Sequence, residues 1–454
     1  MEKRNQAAKL IIGAVIVIIA ILSLVGIVAG RDIKYKPGPL SREDIDYASL
    51  KEVKAPDATS ADGTITANDW AKASPVFRHI ADSLHATGAY QTDAEDYLKE
   101  DPYLVTLYKG YGFAVDYKAA RGHEFTMTDV LETGRTHIEG KPQMANCLTC
   151  KTPNFTKLVE TTNGSAYKED FLTVHTQLMQ QGAESVSCYT CHGNTPNVWH
   201  KVDPSNEKSA ETNLTVTHTY VTDALGENVK KIDPGVLACG QCHIEYYFDP
   251  ATKATSMPYD SVAAMSPEAI YEYYQQLGFK DWEHKLTGAG MLKVQHPEME
   301  TYLSGKHAGT LSCADCHLPV VEDPTDHTIY HSHTLVSPLN NATLLATCAQ
   351  CHGSTDMVQY VKNIQSRITS EEKRIGGKLE AYTNALAEAV AANVLEEADL
   401  MELREIQRKA QWFFDFCYVE NSEGAHNSDL STRCLDTAEK LIDQGMNLLA
   451  EKTK

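Results

Sequence analysis

Along the last quarter of the chain, apolar residues recur every three or four positions. Ile375, Leu379, Tyr382, Leu386 and Val390 form one such stripe, the mark of an amphipathic helix that hides one face. A second stripe, Leu400, Leu403, Ile406, Ala410 and Phe413, comes after the polar break at 396–399. A third runs through Leu435, Ala438, Leu441, Gly445 and Leu448. Long helices are therefore expected over residues 361–454. They could cap the preceding domain, or one of them could also form a homodimer interface, and the periodicity is compatible with both. From about 60 to 360, short helical patches alternate with Gly, Pro, Asn and Asp clusters, and no long apolar–polar alternation appears. Strands should be few and short there. Side chains alone do not fill a core in so loop-rich a stretch.

At the other end, Leu10 to Ala29 carries no charge and is preceded by Lys3, Arg4 and Lys9. A positive flank stays in the cytoplasm, so the rest of the chain is expected to be exported. The run matches a bilayer span of about 20 residues and exceeds the roughly 7–15 residues of a signal h-region. Val28 and Gly30 make a poor cleavage site, so residues 1–30 read as a retained signal-anchor in preference to a cleaved signal. Residues 31–60, with Pro37, Pro39 and Pro56, read as a linker. The formal charge of −20 argues against nucleic acid as a partner and means that a small anion would need a local basic funnel.

The cysteines change the picture of the middle. Ten of the twelve fall in five Cys-x-x-Cys pairs: Cys147/Cys150, Cys188/Cys191, Cys239/Cys242, Cys313/Cys316 and Cys348/Cys351. His192, His243, His317 and His352 come directly after four of them. Cys-x-x-Cys-His attaches c-type haem, with thiols on the two vinyl groups and the imidazole on iron. Structural zinc pairs such motifs without needing histidine after each. The haem macrocycles would supply the apolar volume that 61–360 lacks.

The fifth pair is succeeded by Lys151. A lysine amine is normally protonated, with a pKa of ~10.4, and must be held neutral to ligate iron. One irregular haem among four regular ones suggests one reaction centre and four electron relays. Cys417 and Cys434 belong to no such motif and are either a disulfide or two buried thiols.

These motifs resemble those of the pentahaem cytochrome c nitrite reductases, the ammonia-forming catalytic subunits, over roughly residues 100–450. The likeness rests on Cys147-Leu-Thr-Cys150-Lys151, on 239–248 (Cys-Gly-Gln-Cys-His-Ile-Glu-Tyr-Tyr-Phe), on 292–298 (Leu-Lys-Val-Gln-His-Pro-Glu) and on the order of the haem motifs. It implies a mainly α multihaem cytochrome c fold with five closely packed haems and long C-terminal helices. The activity it implies is the six-electron, eight-proton reduction of nitrite to ammonium. Lys151 would be the proximal ligand of the catalytic haem, with Arg135, Tyr246 and His296 in the distal pocket. Distal ligands of the other haems would be His123, His307, His333 and His426, with His327 and His331 close to the third of these. Calcium would be held by Glu245, Tyr246, Lys293 and Gln295. The resemblance also implies a homodimer at the outer, periplasmic face of the membrane and a quinol-oxidising multihaem cytochrome as electron donor. His79, His175 and His284 read as ordinary surface or core residues.

Overall fold

The computed structural model describes residues 40–86, 94–140 and 143–454. The signal-anchor expectation lies outside them, and no described helix is long and apolar enough to cross a membrane. The three C-terminal stripes fold as α1 (Met357–Ala392), α2 (Glu397–Tyr418) and α3 (Ser428–Lys452). Asp356 and Asn427 cap α1 and α3 by accepting the backbone N–H groups of Gln359 and Leu430, which satisfies amides left over at a helix start. Asn393, in the left-handed region at φ 53°, ends α1.

Contacts fix the directions. Arg367 meets Thr432, Arg374 meets Glu439 and Lys378 meets Asp443 at one constant offset of 65 residues, so α1 and α3 run parallel. Tyr382 donates to the Leu403 carbonyl, and Cys417 lies against Glu372, so α2 runs back between them. Leu379, Leu386, Leu403, Ala410 and Ala438, the residues of the stripes, are fully buried. Gly445 is required by a close approach, because a Cβ there would meet Tyr382 Cζ at 2.5 Å.

The strands are short, as expected, and number eight among the described residues, in four antiparallel pairs. They are β1 and β2 (His200–Lys201, Glu211–Thr212), β3 and β4 (Tyr247–Phe248, Thr255–Ser256), β5 and β6 (Trp282–Glu283, Gly290–Met291), and β7 and β8 (Val320–Glu322, Ile329–His331). One large apolar cluster joins the helices to Tyr108, Tyr274, Trp282 and Met291. A second, with Phe155, Phe171 and Leu178, packs around the first cysteine pair. In the stretch read as a linker, Ile45 and Leu50 are buried with Trp70, Phe77 and Val320 in a third.

The cysteine motifs sit on helical turns, which place positions i, i+3 and i+4 on one face. Cys188–His192 and Cys313–His317 are each a single short helix. Ser312 starts the second: its Oγ accepts the Asp315 N–H (3.3 Å), and Asp315 accepts the Ser312 N–H (2.7 Å). Asp315 is a spacer residue of the motif, so the sequence that attaches the cofactor also begins its own helix.

Candidate functional site

Each of the four motif histidines has another imidazole at a similar spacing, and His243 has two, the second being His296 at 6.1 Å. His243 lies 6.2 Å from His123 between ring centres, His192 6.5 Å from His333, His352 6.1 Å from His307 and His317 6.3 Å from His426. Imidazoles that share one metal at bonds of ~2 Å hold their centres about 6 Å apart. The donor set and its spacing fit haem.

The cysteines are not equally enclosed. Nine of the ten in the motifs are half-buried, but Cys351 is exposed. Its helix, Ala342–His352, buries only Leu344 and carries Cys351 and His352 at its C-terminal end, with His352 facing His307. The thiol nevertheless keeps its place one helical turn after Cys348, the spacing that reaches the second vinyl group. Cys417 and Cys434, by contrast, are buried free thiols, the former donating to Glu372 at 3.2 Å.

The protonation states fit haem as well. Burial holds His123 at about 3 and His192 and His317 at about 4, so these rings are neutral and keep the lone pair a metal needs. Burial also opposes charge on His243 and His426, but Glu298 beside the one and Glu420 beside the other outweigh it and raise both. His331 and His327 are engaged elsewhere. Both ring nitrogens of His331 have partners, Nδ1 the Leu318 carbonyl and Nε2 the Tyr47 hydroxyl, and exposed His327 pairs with Glu322. His79 lies between Asp323 and Asp326, while His175 and His284 are buried against backbone carbonyls.

Around the fifth pair, the turn Ala145–Leu148 is tied to its neighbours by side chains. Thr126 donates to the Lys151 carbonyl (2.6 Å), binding the turn that carries His123. Asn146 donates to the Lys253 carbonyl and Thr255 to Thr149 (each 3.1 Å), binding the β3–β4 hairpin just beyond Tyr246. Met299 N–H donates to the His243 carbonyl (3.1 Å) and holds the segment after His296.

Arg135 lies within electrostatic range of Cys147, Tyr246 of Cys147 and Cys150, and His296 of Lys151. All three residues expected in the distal pocket are thus on the side of the molecule that carries the Cys147–Lys151 turn. Arg135 donates from Nη1 to the Asp116 carbonyl (2.7 Å), and its guanidinium lies 4.3 Å from the Phe113 ring centre. Burial pushes the Tyr246 phenol well above its usual range and lowers His296.

Three of the four residues expected to hold calcium meet at Gln295. Its backbone N–H donates to Glu245 Oε2 (2.6 Å) and its side chain to the Lys293 carbonyl (3.1 Å). Tyr274 donates to the other Glu245 oxygen at 2.9 Å. Burial pushes the Glu245 carboxyl well up, a cost that a bound cation would relieve. Oxygen donors of this kind suit a hard cation. The Lys293 ammonium is turned away, over the rings of Tyr108, Phe113 and Tyr117.

Two carboxylates were missed by the sequence reading. Glu298 lies 3.8 Å from His243 and 3.9 Å from His296. Burial disfavours its charge, yet those two imidazoles hold it well below the usual carboxylate range. Glu420 accepts from His426 at 2.6 Å. Glu298 ends the 292–298 run and Glu420 lies six residues before His426, and neither position told it apart from the other carboxylates of the chain.

Residues 67–453 match the family described as cytochrome c552. Among solved structures, the chain is similar to the catalytic subunit of the cytochrome c nitrite reductase of Desulfovibrio desulfuricans, a structure with two calcium sites. The two share 28% identity over 77% of this chain and 76% of that one, with a TM-score of 0.65. Looser likenesses are to an undecahaem S-layer cytochrome of Carboxydothermus ferrireducens (14% identity, 72% and 41% covered, TM-score 0.34) and to the outer cell wall cytochrome OcwA (18%, 56% and 44%, TM-score 0.24).

Proposed function

The chain belongs to the cytochrome c552 family, and on that premise we propose that it is a nitrite reductase that carries nitrite to ammonium with six electrons and eight protons. The observation that carries this reading is the motif Cys147-Leu-Thr-Cys150-Lys151, with Arg135, Tyr246 and His296 within electrostatic range of it. Five covalent haem c groups would be attached at the five cysteine pairs of a catalytic domain over residues 61–360. The imidazole pairs His243/His123, His192/His333, His352/His307 and His317/His426 would hold four of them, and Lys151 would hold the fifth. When bound there, haem would supply iron for nitrite to bind and the electrons for its reduction.

The residues of the pocket do the rest. Arg135 uses Nη1 on the Asp116 carbonyl, which leaves its other N–H groups to donate to the nitrite oxygens and stabilise charge developing there. The Phe113 ring covers one face of the guanidinium and keeps it from swinging out. His296 turns Nδ1 toward Glu298, which leaves Nε2 to give and recover the protons the reaction consumes. Tyr246, its phenol held protonated by burial, donates a hydrogen bond. Glu245, Gln295 and the Lys293 and Tyr246 carbonyls would hold calcium, which would steady the backbone that presents Tyr246 and His296. The enzyme works on the outer face of the membrane, as a homodimer fed by a quinol-oxidising multihaem cytochrome.

The test is to give the haem-loaded protein nitrite and a reduced viologen dye. One ammonium per nitrite and six dye electrons are expected, with no free nitric oxide. Lys151→His is expected to cripple turnover while the other four haems keep their spectra. Full haem content with nitrite untouched would defeat the reading and leave an electron carrier.

A further inference from the structure

We propose that Glu420 sets the reduction potential of the relay haem attached at Cys313 and Cys316, making it the last of the four relays to be reduced. The inference rests on His317 and His426 being the axial pair of that haem. A carboxylate only accepts, so His426 Nδ1–H donates to Glu420 Oε1, at 2.6 Å. Glu420 is 2% exposed, so water screens this contact little. Ser422 Oγ donates to the second carboxylate oxygen (2.5 Å) and accepts the His426 N–H (2.9 Å). The 420–426 loop thus closes on itself and holds both partners.

The other ligand candidates differ. Nδ1 of His192 lies on the Asn213 carbonyl (2.8 Å) and Nδ1 of His333 on the His331 carbonyl (2.9 Å). These are neutral acceptors. Glu298 stands 3.8 Å from His243, beyond hydrogen-bond reach. Among the described residues, His426 is therefore the one ligand candidate whose second nitrogen hydrogen-bonds a carboxylate. An anion at Nδ1 makes the imidazole a stronger donor through Nε2. A stronger donor favours ferric over ferrous iron and lowers the potential. The couple takes one electron and no proton, because the Nδ1 proton stays between His426 and Glu420.

The measurement is a spectroelectrochemical titration of the full-length, haem-loaded protein, resolving its one-electron steps. Glu420→Gln keeps the shape and removes the charge. It should shift the ferric/ferrous equilibrium of one haem by about tenfold, or ~59 mV upward for one electron, leaving the other four in place. Ser422→Ala strips the carboxylate of its other hydrogen bond and should move the same midpoint down. Should Glu420→Gln fail to load haem, Ser422→Ala decides alone. Unmoved midpoints with five haems present overturn the proposal. His426→Ala, read by electron paramagnetic resonance, tests the reading beneath. One low-spin haem turning high-spin confirms the ligand, and an unchanged spin count means that the ligand assignment itself fails.

Discussion

Arg135 shows how a single residue is held for its task. Its guanidinium is planar, flanked by the Phe113 ring and anchored on the Asp116 carbonyl, and a lysine ammonium, a point charge without the planar fork, does not make both contacts and still present further donors in a fixed plane. Arg135→Lys is expected to lower kcat/KM for nitrite by about 10²–10³ while the haem spectrum stays intact, measured by steady-state kinetics with a viologen donor. Arginine in a motif is legible from sequence. The partners Phe113 and Asp116 were not, because each acts through a ring face or a backbone carbonyl that any sequence offers. Glu298 and Glu420 were hidden differently. A carboxylate in an acidic chain carries no signal until the fold buries it beside an imidazole.

At the level of elements, the C-terminal stripes were legible because a period of three or four survives without knowledge of what it packs on. Their directions were not, since these depend on pairs such as Arg374–Glu439 that the pattern leaves open. Nor did periodicity reveal the contact between α1 and α2. Burial raises Glu372 to about 7, and the Cys417 thiol donates to it. The unfolded chain releases that proton near pH ~4.3, so between these two values the folded chain binds the extra proton. The contribution is full below about 4.3 and is lost as pH rises to 7. Glu372→Gln should therefore raise the melting temperature at pH 8, by the equivalent of at most about 4 kcal/mol, and leave it unchanged at pH 4. An equal gain at both pH values would show that the glutamate stays charged throughout.

For the whole molecule, most facing pairs join remote stretches of chain. His123 and His243, His192 and His333, and His317 and His426 are each separated by more than a hundred residues. Closing such loops carries an entropy cost that grows with length, so the second imidazole arrives late. The cysteines attach four of the haems beside their own histidines and the fifth beside Lys151 from the outset, and the fourteen histidines outside the motifs compete for the other side. Refolding is then a sorting problem, in which wrong partners bind early and must let go before the chain can advance. Diluted from guanidinium at pH 7, the haem-loaded protein should refold with a slow, heterogeneous phase. At pH 5 protonation occupies the competing imidazoles, and that phase should shrink in stopped-flow absorbance. A slow phase equally large at both pH values would place the delay elsewhere.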